Sequence, residues 1–251
     1  MPTATVARTD RLNLPGTLPR RRYDHIFFSA TSLLILITVF VGFAPTYYFA
    51  GLYRAPVPSP IIHFHAAAFT CWILLLIAQT SLISAGRVAI HRRLGIAGFL
   101  LACAMVVLGL LAATNALVRG FGPKGGDPKA FFVTPVTDML VFSVLVAAAF
   151  YQRFNPMAHK RIIIAATVAL MTAPIARWHV AVVHHNARHA ELFSYLFLLF
   201  LLTYDLWSLR RIHRATLWAS AFLIFMQQIS VHIGRTAAWH TFASWVQSLA
   251  S

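Results

Sequence analysis

Acidic residues are scarce in this chain: 6 Asp and Glu stand against 21 Lys and Arg, and charge of either sign makes up only 11% of the 251 residues. An ordinary soluble domain carries about 25% charged and about 45–50% apolar residues, whereas the apolar share here is 59%. Too few polar groups exist to cover every face, which excludes a soluble globular enzyme. Two cysteines are too few for a disulfide-built secreted domain. Missing too are a Walker loop, G-x-S-x-G, C-x-x-C-H and H-E-x-x-H, the signatures of phosphate cradles, serine nucleophiles, attached haem and zinc peptidases.

What the chain has is a series of long apolar runs. Stretches of about 20 predominantly apolar residues bounded by polar or turn residues predict spans over 26–50, 61–84, 94–118, 131–151, 161–184, 190–207 and 216–235. The fold class is all-α integral membrane, a seven-transmembrane helix bundle over 26–235. Lipid cannot satisfy an open backbone, and the runs are too long and continuous for alternating barrel strands. Residues 1–25 read as a basic cytoplasmic tail. The run after it is too long for a signal h-region, so the first span reads as an uncleaved anchor; a mitochondrial presequence is the alternative, weakened by Asp10 and Asp24. In 236–251, Trp239, Phe242, Trp245, Val246 and Leu249 recur at helical spacing, predicting a short amphipathic helix on the outer surface.

The formal charge of +15 falls in connectors and does not imply nucleic acid. With the N-terminus inside, one side collects Arg8, Arg11, Arg20, Arg21, Arg22, Arg87, Arg92, Arg93, Arg153, Lys160, Arg161, Arg210, Arg211 and Arg214, which is 14 residues. The other side holds 6, Arg54, Arg119, Lys124, Lys129, Arg188 and Arg235, and Arg177 lies within the fifth span. This bias predicts an inside N-terminus and an outside C-terminus. Arg92, Arg93, Lys160, Arg161, Arg210 and Arg211 read as membrane-surface anchors for anionic lipid. Small-residue stripes, Gly98, Ala102, Gly109 and Ala113 in span three and Ala165, Ala169, Ala173 and Ala176 in span five, predict close helix packing. Pro45, Pro135 and Pro174 predict kinks.

Twelve histidines are sorted by this topology. His25, His91, His159 and His213 fall inside; His63, His65, His179, His184, His185, His189, His232 and His240 fall at or near the outer end. His65 lies four residues into span two, His179 five from the end of span five and His232 three from the end of span seven. At about 1.5 Å per residue these depths agree within roughly one helical turn. His65, His179 and His232 are therefore the candidate ligands of a haem b or a transition metal near the outer face, since neutral imidazole is the commonest protein ligand for such metals. Asp138, Arg177 and Asn115 lie at similar depth as supporting groups or a proton path; Asp138 and Arg177 could instead pair with each other. His185 and His189 are spaced i, i+4 and could chelate a metal if that segment is helical. Asp205, at the inner end of span six, is expected to pair with a loop arginine.

The run His91-Arg92-Arg93-Leu94-Gly95 entering span three, with His159-Lys160-Arg161 entering span five, resembles a group of bacterial polytopic membrane proteins of no agreed activity. The resemblance implies a bacterial cytoplasmic (inner) membrane protein and carries over no catalytic residue. A remoter similarity is to cytochrome b561-like proteins, whose bundles hold haem between histidines of facing helices. The leading functional expectation is electron transfer or redox chemistry on a quinone or other lipid-soluble substrate at the outer histidines. A transporter, needing a homodimer to reach the larger inverted-repeat folds, and a non-enzymatic scaffold or sensor remain open at this point.

Overall fold

The computed structural model of the protein describes residues 18–122, 126–184 and 186–250. The helices are α1 Leu18–Phe43, α2 Pro60–Ser84, α3 Val88–Val118, α4 Pro128–Tyr151, α5 Pro156–Val168, α6 Thr172–Ile175, α7 Ala187–Leu209, α8 Arg214–Ile233 and α9 Ala237–Ala250. Seven segments are long and apolar enough to cross a membrane, α5 and α6 counting together as one of 20 residues. The protein is thus an all-α, multi-pass bundle. Large apolar side chains such as Leu33, Leu100, Val107, Leu199 and Phe225 remain exposed on the helices, as expected of surfaces that meet lipid rather than water.

Local chemistry sets the helix starts. Asp127, Asn155 and Asn186 each accept a backbone N–H with the side chain, from Lys129, Ala158 and His189, and Pro60, Pro128 and Pro156 occupy first turns where a missing N–H costs nothing. Gly86, at φ +72°, makes the tight reversal from α2 into α3. The turns α2–α3, α4–α5 and α7–α8 lie at one end of the bundle, the turn end, where Asp24 of α1 also sits.

The fifth span departs from expectation. Instead of one helix over 161–184, α5 ends at Val168, α6 ends at Ile175, and His179 and His184 lie in an irregular segment. Pro174 is the cause: it offers no N–H to the Leu170 carbonyl four residues back, and its ring crowds that carbonyl. The N–H groups of Leu170 and Met171 turn to the carbonyls of Thr167 and Val168, at 3.1 and 2.9 Å. The break lets the Pro174 backbone lie directly on Gly42 of α1, where a Cβ would have no room. Pro45 stands in a π turn over Ala44–Tyr48, whereas α4 continues through Pro135.

The core lies between α4 and α5, where Phe142, Leu145, Ala149, Ala165, Ala166 and Ala169 are fully buried. Gly98, Ala102, Gly109 and Ala113 are all buried along α3, with Leu75 of α2 against Gly98 and Met139 of α4 against Gly109. In the other stripe Ala165 and Ala169 are buried but Ala173, beyond the break, is exposed. The terminal α9 buries Ala243, with Trp239 and Val246 against Ala113, Leu117 and Phe132, and leaves Phe242, Trp245 and Leu249 exposed. Residues 1–17 of the expected basic tail lie outside the described residues.

Candidate functional site

Away from the turn end, the expected ligands are not brought together. Among the described residues no three His, Cys, Asp or Glu side chains are grouped to hold a metal ion. The ring of His65 packs on Phe69 at 4.1 Å, and its Nδ1 is buried without a hydrogen-bond partner. His179 is exposed and stacks on His184 at 4.9 Å. His232 is exposed in the last turn of α8. Shared depth failed as a guide because it fixes no helix rotation, and because the fifth span is not helical at His179. His185 lies outside the described residues; His189 Nδ1 is 2.6 Å from the Val182 carbonyl.

Asp138 and Arg177 do not pair. Asp138 Oδ1 accepts from Gln227 Nε2 at 2.9 Å, while Arg177 donates to the Ala173 carbonyl at 2.7 Å and lies 4.8 Å over the Phe43 ring. Asn115 accepts from Ser59 Oγ at 3.0 Å, tying α3 to the start of α2.

At the turn end, the basic residues separate into two kinds. Arg92, Arg93, Arg210 and Arg211 are exposed. Arg161, expected at the membrane surface, is instead fully buried, since α5 begins at Pro156 and carries position 161 more than a turn into the bundle, facing α7. Its Nε and Nη2 donate to Asp205 Oδ1 at 2.8 and 2.5 Å, and Nη1 donates to the Met157 carbonyl at 2.8 Å. Asp205 Oδ2 accepts from the His213 backbone N–H at 3.0 Å and from Thr216 Oγ1 at 2.5 Å. The expected partner of Asp205 is thus an arginine, but one buried within α5. Lys160 also turns inward, 2.8 Å from Asp24, which accepts from the Tyr204 hydroxyl at 2.7 Å. Scarce acids are here spent on α1 and α7, holding them to α5.

His213 caps α8: its Nδ1 accepts from the Ala215 N–H at 3.1 Å, which requires a neutral ring nitrogen. Burial, and then the Arg161 guanidinium, hold its imidazole below the ordinary 6.5. Between that lowered value and 6.5 the unfolded chain binds more protons, so stability rises with pH through this window and levels off above it. His213→Asn keeps a capping acceptor and does not titrate. In thermal melts between acidic and neutral pH the wild type is expected to lose stability relative to the variant towards acid; parallel curves would contradict the assignment.

Between α2, α3, α4 and α5 a cavity of about 310 Å³ opens at the turn end, within the range of about 300–1,000 Å³ that holds small ligands. Trp72, Phe99, Phe150 and Ile163 furnish apolar wall, Gly95 leaves space, and His91, His159, Gln79, Arg92 and Arg153 supply the polar groups. Trp72 is pinned by its Nε1 donating to Thr167 Oγ1 at 3.2 Å and by the edge of Phe142 at 5.2 Å. Arg153 lies 4.5 Å over both the Phe150 and Phe154 rings.

The two imidazoles stand 6.4 Å apart, centroid to centroid, at 82°. His159 Nδ1 meets the Ala149 carbonyl at 2.8 Å. A carbonyl only accepts, so Nδ1 carries the proton and the remaining Nε2 is an acceptor. At His91 the roles reverse. With the Gln79 amide turned so that its oxygen accepts from Gly95 N at 3.0 Å, its nitrogen donates to His91 O at 3.2 Å and to His91 Nδ1 at 2.6 Å. Nδ1 is then an acceptor and Nε2 carries the proton. The cavity therefore holds one imidazole donor and one imidazole acceptor side by side. Neither histidine was selected as a site residue from sequence, although both belong to the two turn motifs; the signal was two histidines entering successive hairpin helices at the same end.

Comparison with protein-family models, with curated proteins and with solved structures finds no match for this chain.

Proposed function

We propose that this chain is a multi-pass protein of the bacterial cytoplasmic membrane, N-terminus inside and C-terminus outside, that binds a lipid-soluble molecule of the quinone class in the cavity at the turn end. The observation that carries this reading is the pair of imidazoles 6.4 Å apart in an otherwise largely apolar cavity, assigned as one donor and one acceptor from their hydrogen-bond partners. A quinone carbonyl accepts from His91 Nε2–H; a quinol hydroxyl donates to His159 Nε2. The pair can thus hold either form and exchange a proton with its oxygen, while an apolar tail suits the aromatic and aliphatic wall. The 14 to 6 distribution of basic residues supports the orientation, which puts the cavity in the cytoplasmic leaflet. A transition metal on His65, His179 and His232 forms no part of this proposal, since no group of three such ligands is found among the described residues.

Equilibrium binding of a radiolabelled long-chain quinone to the full chain in lipid nanodiscs tests this. A Cβ on Gly95 would meet only the end of the Gln79 amide, at 3.7 Å, so Gly95→Val should fold and place its branch in the cavity. Saturable binding to the wild type, weakened about tenfold or more by Gly95→Val, is the expected result; equal binding by both would sink the reading. Arg92 and Arg153, with no Asp or Glu among the described lining residues, favour a second reading in which the head is anionic. Competition by a long-chain fatty acid at lower concentration than quinol would select it.

A further inference from the structure

The mid-membrane contact between Asp138 and Gln227 lies apart from the cavity and serves no role in the function proposed above. Gln227 of α8 is 5% exposed. Its Nε2 donates to Asp138 Oδ1 at 2.9 Å and reaches the Ala169 carbonyl, in the break after α5, at 3.4 Å. Its Oε1 is buried and receives no hydrogen bond from the described residues. An ionised carboxylate offers acceptors only and cannot satisfy that oxygen, whereas a carboxylic acid carries one O–H donor. A protonated carboxyl and a primary amide pair head to head through two reciprocal bonds: amide N–H to carboxyl oxygen, carboxyl O–H to amide oxygen. The first of these is already made. One proton on the Asp138 carboxyl supplies the donor that the orphaned amide oxygen lacks and removes a charge from membrane depth, where an unpaired charge is costly.

The surroundings divide two carboxyl groups by their partners. Glu191 of α7, 8% exposed, receives the Tyr195 hydroxyl at 2.5 Å and Gln228 Nε2 at 2.5 Å, with Arg188 at 3.6 Å. Two hydrogen-bond donors and the Arg188 cation suit a carboxylate. Asp138 has no ion-pair partner among the described residues. We propose that Asp138 is a proton-binding site within the membrane, its carboxyl neutral and closed in a ring with the Gln227 amide.

Infrared spectroscopy of the full chain in nanodiscs at neutral pH tests this directly. The expected result is a carbonyl stretch of a protonated carboxylic acid that disappears in Asp138→Asn and persists in Glu191→Gln. Asn supplies the same donor and acceptor as the neutral acid, so Asp138→Asn should also melt near the wild type. Should that variant fail to fold, Asp138→Glu must shift the band. No band, a band unaltered by either Asp138 variant, or a band lost in Glu191→Gln overturns the proposal. A band that appears only when sodium is removed also overturns it, assigning the site to a cation. Because quinone binding is measured separately, failure here leaves the cavity reading intact, and the reverse holds.

Discussion

Asp205→Ala is expected to cost about 3–5 kcal/mol of stability, among the largest losses any single substitution in this chain can produce. Removing one member of a buried ion pair leaves its partner charged and uncompensated. Here the abandoned group is the Arg161 guanidinium, 0% exposed, and the same change orphans the Thr216 hydroxyl and the His213 backbone N–H. Chemical denaturation in detergent micelles measures the loss. Replacing both partners, as Arg161→Met with Asp205→Leu, should recover most of it, because well-packed apolar groups often match or exceed a buried pair. A cost for Asp205→Ala no greater than that of Arg93→Ala, an exposed cation, would show that the pair contributes nothing.

His159→Leu is expected to weaken quinol binding by about tenfold or more, since a hydroxyl left without its hydrogen-bond acceptor in an apolar site costs about 1–3 kcal/mol. His159 holds the acceptor end of the imidazole pair, its tautomer fixed by the Ala149 carbonyl. The loss should fall more heavily on the quinol than on the quinone, because only the quinol donates a hydroxyl. His65→Leu, remote from the cavity lining, should bind both forms as the wild type does. Equal losses for quinone and quinol would place the effect in packing rather than in the acceptor nitrogen.

The seven spans were legible because length and apolarity alone decide whether a helix can cross a bilayer. The seven expected segments correspond in order to the seven long helices. The fifth shows the limit. Pro174 was visible, but whether it would kink the helix or end it depended on Gly42 of α1, whose missing Cβ admits the Pro174 backbone and rewards the break. The site was less legible than the fold. Depth along a helix is readable from sequence, whereas rotation about its axis depends on which neighbours it packs against. His65, His179 and His232 matched in depth, yet no group of three metal ligands forms among the described residues. Arg161 and Arg93 are alike in sequence context, yet one is buried against Asp205 and the other exposed. The scarcity of acids was the better guide: with only 6 in the chain, each one within a span had to be matched, and Asp24, Asp138, Glu191 and Asp205 are all hydrogen-bonded across or along helices.

The central claim is that the working site lies at the turn end, between α2, α3, α4 and α5. Photolabelling the full chain in nanodiscs with an azido-quinone, followed by peptide mapping, tests it most directly. The account requires label on segments that line the cavity, around Trp72 to Gln79, His91 to Phe99 or Phe150 to Ile163, and suppression of that label by unlabelled quinone. Specific label confined instead to the opposite end, around His65, His179 and His232, would contradict it.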